Sequence, residues 1–426
     1  MSTRREILKL AGTASLAAVA ARRSFAQSTG GAEARVVVVG GGFGGATCAK
    51  YLKRADPALA VTLIEPAATF VTCPFSNTVI GGLRDLASIT FDYRQLGEAH
   101  GVEVVQDEAA ALDPAARSVR LAGGRTLPYD RLVLSPGIEL RWDALEGYDQ
   151  AAAERMPHAW KAGPQTALLR DQLEAMEDGG VVAIAVPEPP FRCPPGPYER
   201  ASLIAHYLQT RKPRSKLLIL DASDTFSKQP LFTAAWQELY PGLIEWLPRS
   251  QGGQVVRVDP EAMVLHTDFE EVQAAVANVI PPQRAAGIAR AAGLDEGHGW
   301  CAVDARTFES TVHPGVHLLG DAILAGAMPK SGFSANSQAK VCAAAIAALL
   351  RDQPPPEPAL INTCYSLVAP DYGISVGGPY EVVDGEIVAL KGVGGLSPLD
   401  ADRDFRRREA DYARSWYANI TADMFG

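Results

Sequence analysis

Residues 34–66 read "ARVVVVGGGFGGATCAKYLKRADPALAVTLIEP". The four valines 36–39 have no polar alternation, as expected of a parallel strand covered on both faces. Gly40, Gly42 and Gly45 follow as G-x-G-x-x-G, then a helical stretch, then the strand "VTLIE" ending on Glu65. The first glycine permits the tight turn, the second lets a pyrophosphate approach the backbone, and the third lets helix and strand pack closely. The first helical N–H groups hold the anion, and an acid about 20 residues on binds ribose hydroxyls. A lone glycine motif is weak. Placed between two strands, with a helix and Glu65, it predicts a bound dinucleotide.

Outward from this unit the grammar repeats. A helix over 165–177, the strand "VVAIAV" (181–186), a helix over 197–210 and the strand "KLLILD" (216–221) form a second βαβ unit. Residues 102–138 read as β-hairpin material returning to the strand "RLVLS", and "VHLLGDAI" (316–323) as another strand. A long helix is expected over 331–351. After the proline linker 352–358 come strand-like "EVVDGEIVAL" and a polar helix ending near Trp416. The pattern predicts an α/β fold with two doubly wound, Rossmann-like domains. The first is discontinuous (34–145 and 280–351), the second spans 146–279, and a C-terminal domain spans 356–426.

The second unit lacks the G-x-G-x-x-G glycines at its strand-to-helix corner. Residues 191–199 read "FRCPPGPYE". Pro194 and Pro195 have no N–H for a phosphate, and their rings block close approach. That corner is a poor nicotinamide-dinucleotide site, and Cys193 is its reactive candidate. Glu199, at the start of the following helix, is either a proton acceptor or a charge complementing the helix N-terminus. In "HPGVHLLGDA" (313–322), Gly320 and Asp321 sit at a strand end. With Ser331 and Gly332 opening the next helix, they suit the ribityl chain and pyrimidine edge of a flavin, so FAD is favoured over NAD.

The net charge of −9 argues against nucleic acid. No apolar run is long enough to span a bilayer. Residues 1–26 begin with Arg4-Arg5, pass through an Ala/Leu stretch and end Ser24-Phe25-Ala26, as in a twin-arginine export signal. The segment carries net +4, so the remainder carries −13. Export by this route predicts a periplasmic protein. The six cysteines (48, 73, 193, 301, 342, 364) include no Cys-x-x-Cys, which excludes a covalent haem site, and the seven histidines show no metal-ligand spacing. Cys48, Cys301 and Cys342 lie in apolar surroundings and read as small core residues.

The segments "CPFSNTVIGG", "PHAWKAG", "PPFRCPPGPYERAS", "PPQRAAGIA", "MPKSGFSANSQ" and "NTCYS…APDYGISV" resemble the flavoprotein subunit of flavocytochrome c sulfide dehydrogenase, a relative of sulfide:quinone oxidoreductases. The resemblance runs from about residue 34 to the C-terminus. It implies a disulfide-reductase-like fold and FAD bound through a thioether at Cys73, although Pro74-Phe75 departs from the bulkier residues expected there. It also implies a redox disulfide between Cys193 and Cys364, sulfide as substrate, and electron transfer to a c-type haem on a separate subunit. Residues 356–426 would help to form that interface. Two alternatives are a sulfide:quinone oxidoreductase and a redox partner that reactivates a sulfur-carrier protein.

Overall fold

The computed structural model describes residues 33–426; the signal-like stretch 1–26 lies outside them. Along the chain come β1 (Arg35–Val39), α1 (Phe43–Ala55), β2 (Ala60–Ile64), α2 (Ser76–Ile80), β3 (Glu103–Val105) and β4 (Arg131–Leu134). Next are α3 (Pro164–Ala175), β5 (Val181–Val186), α4 (Gly196–Arg211), β6 (Lys216–Asp221), α5 (Gln229–Leu239), β7 (Ile244–Leu247) and β8 (Val276–Val279). Then follow β9 (Val316–Leu318), α6 (Gly332–Leu349), β10 (Leu360–Ala369), β11 (Tyr372–Val383), β12 (Glu386–Ala389) and α7 (Arg403–Phe425).

The valine strand is central in a five-stranded parallel sheet of order β9-β4-β1-β2-β3. Val36–Val39 are buried and lie between Arg131–Leu134 on one side and strand β2 on the other. β9 joins this sheet from far along the chain, so the sheet closes only late in the sequence. The second unit forms its own sheet of order β7-β6-β5-β8, also parallel. The fold is thus α/β with two parallel sheets, as the paired units predict.

Helices α1 and α6 pack against each other, and both carry buried small residues, Ala46 and Ala49 on one and Ala335, Ala339 and Ala343 on the other. Cys48 and Cys342 are fully buried on these helices, and Cys301 is equally buried in a bridge to Ile323. Burial, with the Cys48 thiol alongside, pushes the Cys342 thiol well up.

Three expectations need correction. The strand expected over 316–323 stops at Leu318, because Gly320 takes φ +79° and starts a turn over Gly320–Ala322. The last helix passes Trp416 and runs to Phe425. Its buried stripe continues through Tyr417, Ile420 and Met424, and the Phe425 ring stacks on Phe91 with centroids 5.2 Å apart. The C-terminal segment holds more strand than "EVVDGEIVAL" alone. β10 and β11 pair antiparallel along most of their length, placing Cys364 opposite Val376. Asn362, Thr363 and Ser366 interrupt the apolar pattern of β10 and hide it from a periodicity search. Among the described residues, no helix is long and apolar enough to cross a membrane.

Candidate active site

The glycine loop is packed so closely that side chains are excluded. A Cβ on Gly45 would lie 1.8 Å from the Gly40 carbonyl oxygen, one on Gly40 would lie 2.3 Å from that of Ser135, and one on Gly44 would lie 2.2 Å from Leu319. Gly40 adopts φ +96°, which side-chain-bearing residues rarely tolerate. Gly42 is the N-cap of α1. Glu65 accepts a hydrogen bond from Gly41 N at 2.8 Å and another from Ala67 N at 3.0 Å, so its carboxylate stands over the loop.

The later flavin-type residues arrive at the same place. A Cβ on Gly332 would meet the Phe43 ring at 3.0 Å, so the N-termini of α1 and α6 adjoin. Ser331 caps α6, accepting from Ser334 N at 3.0 Å and donating to Asn362 Oδ1 at 2.7 Å. Gly320 donates its N–H to Gln338 Oε1 at 2.9 Å. The Asp321 carboxyl is raised by burial, against the pull of Arg192, 3.9 Å away, and of Lys330.

Four buried polar atoms around this region have no partner within the protein: the Tyr93 hydroxyl, Asp321 Oδ1, Trp160 Nε1 and Gln283 Nε2. Leaving such groups unpaired is unfavourable. Two helix N-termini, a bare-backbone cradle, an acid over the loop and a line of unmatched polar atoms fit a long ligand with a pyrophosphate at one end and a polar ring at the other. FAD is such a ligand.

Cys73 lies in the loop between the strand Thr69–Val71 and α2. Its thiol donates to the Trp160 carbonyl at 3.6 Å and lies within electrostatic reach of Lys161, Arg192 and Arg200. Arg192 also donates to the Trp160 carbonyl. The loop is tied to the proline corner, since Asn77 donates to Glu199 Oε2 at 2.8 Å and Arg200 donates to Asn77 Oδ1 at 3.0 Å.

Cys193 sits after β5 in a left-handed conformation (φ +56°), with its N–H on the Lys330 carbonyl at 2.7 Å. It is therefore held one residue from Ser331, beside the N-terminus of α6. Cys364 comes from the middle of β10. Burial raises the Cys193 thiol well above its ordinary pKa, and the neighbouring Cys364 and Glu199 charges add to this; Lys228 and Arg192 oppose it. Burial likewise raises Cys364, with Lys228 pulling it down and the Glu199 charge adding to the rise. Each sulfur thus lies within electrostatic reach of the other, and both are free thiols here. Burial raises the Glu199 carboxyl too, although the backbone N–H of Leu367 donates to it at 2.9 Å.

An open cleft of about 700 Å³ is lined by Phe191, Pro194, Phe226, Met328 and Lys330, residues on either side of Cys193. Lys330 lies over the Trp300 ring at 3.8 Å and is depressed by burial to about 8.

The sequence-level candidates gather into two adjoining groups. One holds Gly40, Gly42, Gly45, Glu65, Gly320, Asp321, Ser331 and Gly332. The other holds Cys73, Cys193, Glu199 and Cys364. Sequence reasoning passed over Lys228, Arg192, Asn77, Trp160 and Tyr93. Arg192 and Asn77 flank the singled-out cysteines and were in view; Lys228 carries no local signal.

Known proteins resemble this chain in sequence and fold. Residues 166–281 match the family model described as the central region of the sulfide dehydrogenase [flavocytochrome c] flavoprotein chain, and residues 356–425 match flavocytochrome c sulphide dehydrogenase, flavin-binding. Residues 34–162 match pyridine nucleotide-disulphide oxidoreductase. A sulfide dehydrogenase [flavocytochrome c] flavoprotein chain of Chlorobaculum thiosulfatiphilum is 71% identical over 45 residues, which is 94% of that sequence and 11% of this one. The chain belongs to the flavocytochrome c sulfide dehydrogenase flavoprotein family. This family is related to sulfide:quinone oxidoreductases. The mitochondrial enzyme of Mus musculus is 24% identical over 308 residues, covering 67% of this flavoprotein and 65% of the mouse chain. The crystal structure of the Aquifex aeolicus sulfide:quinone oxidoreductase superposes with a TM-score of 0.72 at 18% identity, covering 92% of each chain. Putidaredoxin reductase, in its complex with putidaredoxin, shares the fold at a TM-score of 0.66 and 17% identity, covering 89% of this flavoprotein and 94% of that chain. The flavoprotein is thus an FAD-binding member of a sulfide-oxidising oxidoreductase family.

Proposed function

We propose that this flavoprotein oxidises sulfide through a redox disulfide between Cys193 and Cys364 and passes the electrons to a c-type cytochrome carried by a separate subunit. The observation that carries this reading is the convergence of two distant thiols, a buried carboxyl and a buried lysine where a nucleotide loop would otherwise lie. Hydrosulfide enters by the cleft beside Phe191 and Pro194 and attacks the disulfide. One sulfur takes the new bond and the other leaves as a thiolate. Glu199, with its pKa raised by burial, accepts the proton. Bound FAD supplies a two-electron acceptor that can release electrons singly. Gly40, Gly42, Gly45 and Glu65 hold its dinucleotide portion; Gly320, Asp321, Ser331 and Gly332 hold the ribityl and pyrimidine portions. Cys73, among three cations, is the attachment point for the ring.

The cytochrome acceptor is supported by the Chlorobaculum relative, which is the flavoprotein chain of a flavocytochrome c. In the C-terminal segment, Val393, Leu396 and Leu399 are exposed at 53%, 49% and 58% and suit a docking surface. The twin-arginine-like start supports a periplasmic location. A quinone acceptor is the second reading, supported by the oxidoreductases of mouse and Aquifex.

Peptide mapping of the air-oxidised native complex without reductant tests the pairing: a linked Cys193–Cys364 peptide is expected, and two separately alkylated cysteines overturn it. Sulfide-dependent reduction of a c-type cytochrome, measured beside that of a soluble quinone, decides the acceptor. Precipitation with acid should leave the flavin on the Cys73 peptide.

A further inference from the structure

We infer that Lys228 gives the cysteine pair a fixed polarity, so that hydrosulfide bonds to Cys193 and Cys364 is the sulfur expelled. This rests on the disulfide reading above and adds a direction to it.

Lys228 precedes α5 in a left-handed conformation (φ +61°) and is 4% exposed. A buried ammonium needs acceptors to replace water. It finds them along β10: Ser366 Oγ at 2.8 Å, the Cys364 carbonyl at 3.1 Å and the Cys364 sulfur at 3.9 Å. The sulfur contact is at the long end for a hydrogen bond to sulfur, and it would shorten and strengthen on a thiolate. Three residues along the same strand, Leu367 N binds Glu199. The acid and the base therefore grip one strand on either side of Ser366.

The two sulfurs sit differently between these charges. Cys364 has the ammonium as its direct neighbour. Glu199 disfavours a thiolate at either sulfur and Lys228 favours one at either; Cys193 also feels the Cys364 charge and the opposing Arg192, but it is Cys364 that the ammonium touches. Negative charge is better placed on Cys364 than on Cys193. In thiol–disulfide exchange the sulfur that better bears charge leaves faster. A lone pair of hydrosulfide forms a bond to Cys193 Sγ, the Cys193–Cys364 bond breaks, and its electron pair goes to Cys364 Sγ beside Lys228. The hydrosulfide proton passes to Glu199. The sulfide sulfur is oxidised to the sulfane level, and the disulfide is reduced by the same two electrons.

The test has two readouts, neither needing turnover. In the native complex, one equivalent of sulfide is added anaerobically, persulfides are trapped with an alkylating agent, and peptides are mapped. The persulfide is expected on Cys193 with Cys364 alkylated as a plain thiol; a persulfide on Cys364 overturns the inference. In the dithiol-reduced complex, iodoacetamide should alkylate Cys364 faster than Cys193. Lys228→Met should slow Cys364 alkylation by about tenfold or more, as expected when a charge-assisted contact to an anion is lost, with much less effect at Cys193. Lys228→Arg should restore most of the rate. An unchanged Cys364 rate in the Met variant overturns the role of Lys228. No persulfide on either cysteine of the wild type overturns the disulfide reading itself, and the two failures are thereby told apart. Should Lys228→Met not fold, the wild-type persulfide map decides the matter alone.

Discussion

The corner after β1 and the corner after β5 occupy the same topological position and are filled in opposite ways. The first ends in bare backbone: a Cβ on Gly45 would overlap the Gly40 carbonyl. The second ends in proline rings and a thiol, and its one left-handed residue is a cysteine rather than a glycine. Left-handed backbone normally favours glycine. Here Cys193 is held there by the Lys330 carbonyl, in the loop just before α6. One scaffold therefore offers N–H groups to an anion at one corner and a reactive sulfur at the other. A strand-to-helix turn in a parallel sheet presents its residues at the carboxyl ends of the strands, and the chemistry depends on which residues the turn contains.

The sharpest way to break the first half of this contrast is Gly45→Ala. The added methyl has a backbone carbonyl in its path, which cannot rotate away, so FAD affinity should fall by at least about 100-fold, read as flavin absorbance per protein. Full flavin content would refute the cradle. For the second half, Cys193→Ser and Cys364→Ser should each lower sulfide-dependent acceptor reduction on the order of 10³-fold or more, while flavin content stays near that of the wild type. Loss of flavin in either variant would mean that the two corners are not separable.

Glu199→Gln should lower kcat/KM about 100-fold. Because burial raises its pKa in the folded protein, the wild type should lose rate as pH falls through a range above that of an ordinary glutamate, and the variant should lack this limb. The sign for stability is opposite. An acid with a raised folded pKa favours the native state most when protonated, below about 4.5, and that contribution is lost as pH rises through the folded value. The difference in Tm between variant and wild type should therefore move toward the variant with rising pH, by about 2–4 °C. A difference flat with pH would show that the carboxyl is solvated.

The smallest effect is expected of the double change Pro194→Gly, Pro195→Gly. It restores glycine to the second corner, yet Cys193 and its Lys330 tether remain. NADH should still not reduce the flavin, and sulfide turnover should change only a few-fold. NADH oxidation in this variant would show that the rings alone closed the site.

Much of this was legible in the sequence, because both βαβ units rest on short-range patterns. The valine run, the glycine spacing and "VVAIAV" each carry their own strand or turn signal, and the structure places them as read. The C-terminal part was less legible. β10 gets its order from pairing with β11 and from contact with α4 rather than from apolar alternation, and α7 is extended by aromatic stacking that no local propensity reports. At the site, Cys193 stood out by its place in the proline corner and Glu199 by its nearness to it, whereas Cys73 and Cys364 were singled out only through the family resemblance. Lys228 did not, since a lysine before a helix is ordinarily a solvated surface residue. Only burial against Ser366 and Cys364 sets it apart.

The chamber has a temporal consequence as well. Cys193 and Cys364 are 171 positions apart, and β9 and α6 both lie in the interval. When a ribosome has made the second sheet, Cys193 already exists but has no partner, and the edge strand that completes the first sheet is still unmade. The sulfur pair can assemble only when nearly the whole polypeptide has emerged and both sheets are closed, so a correctly paired chamber is itself a sign of finished maturation.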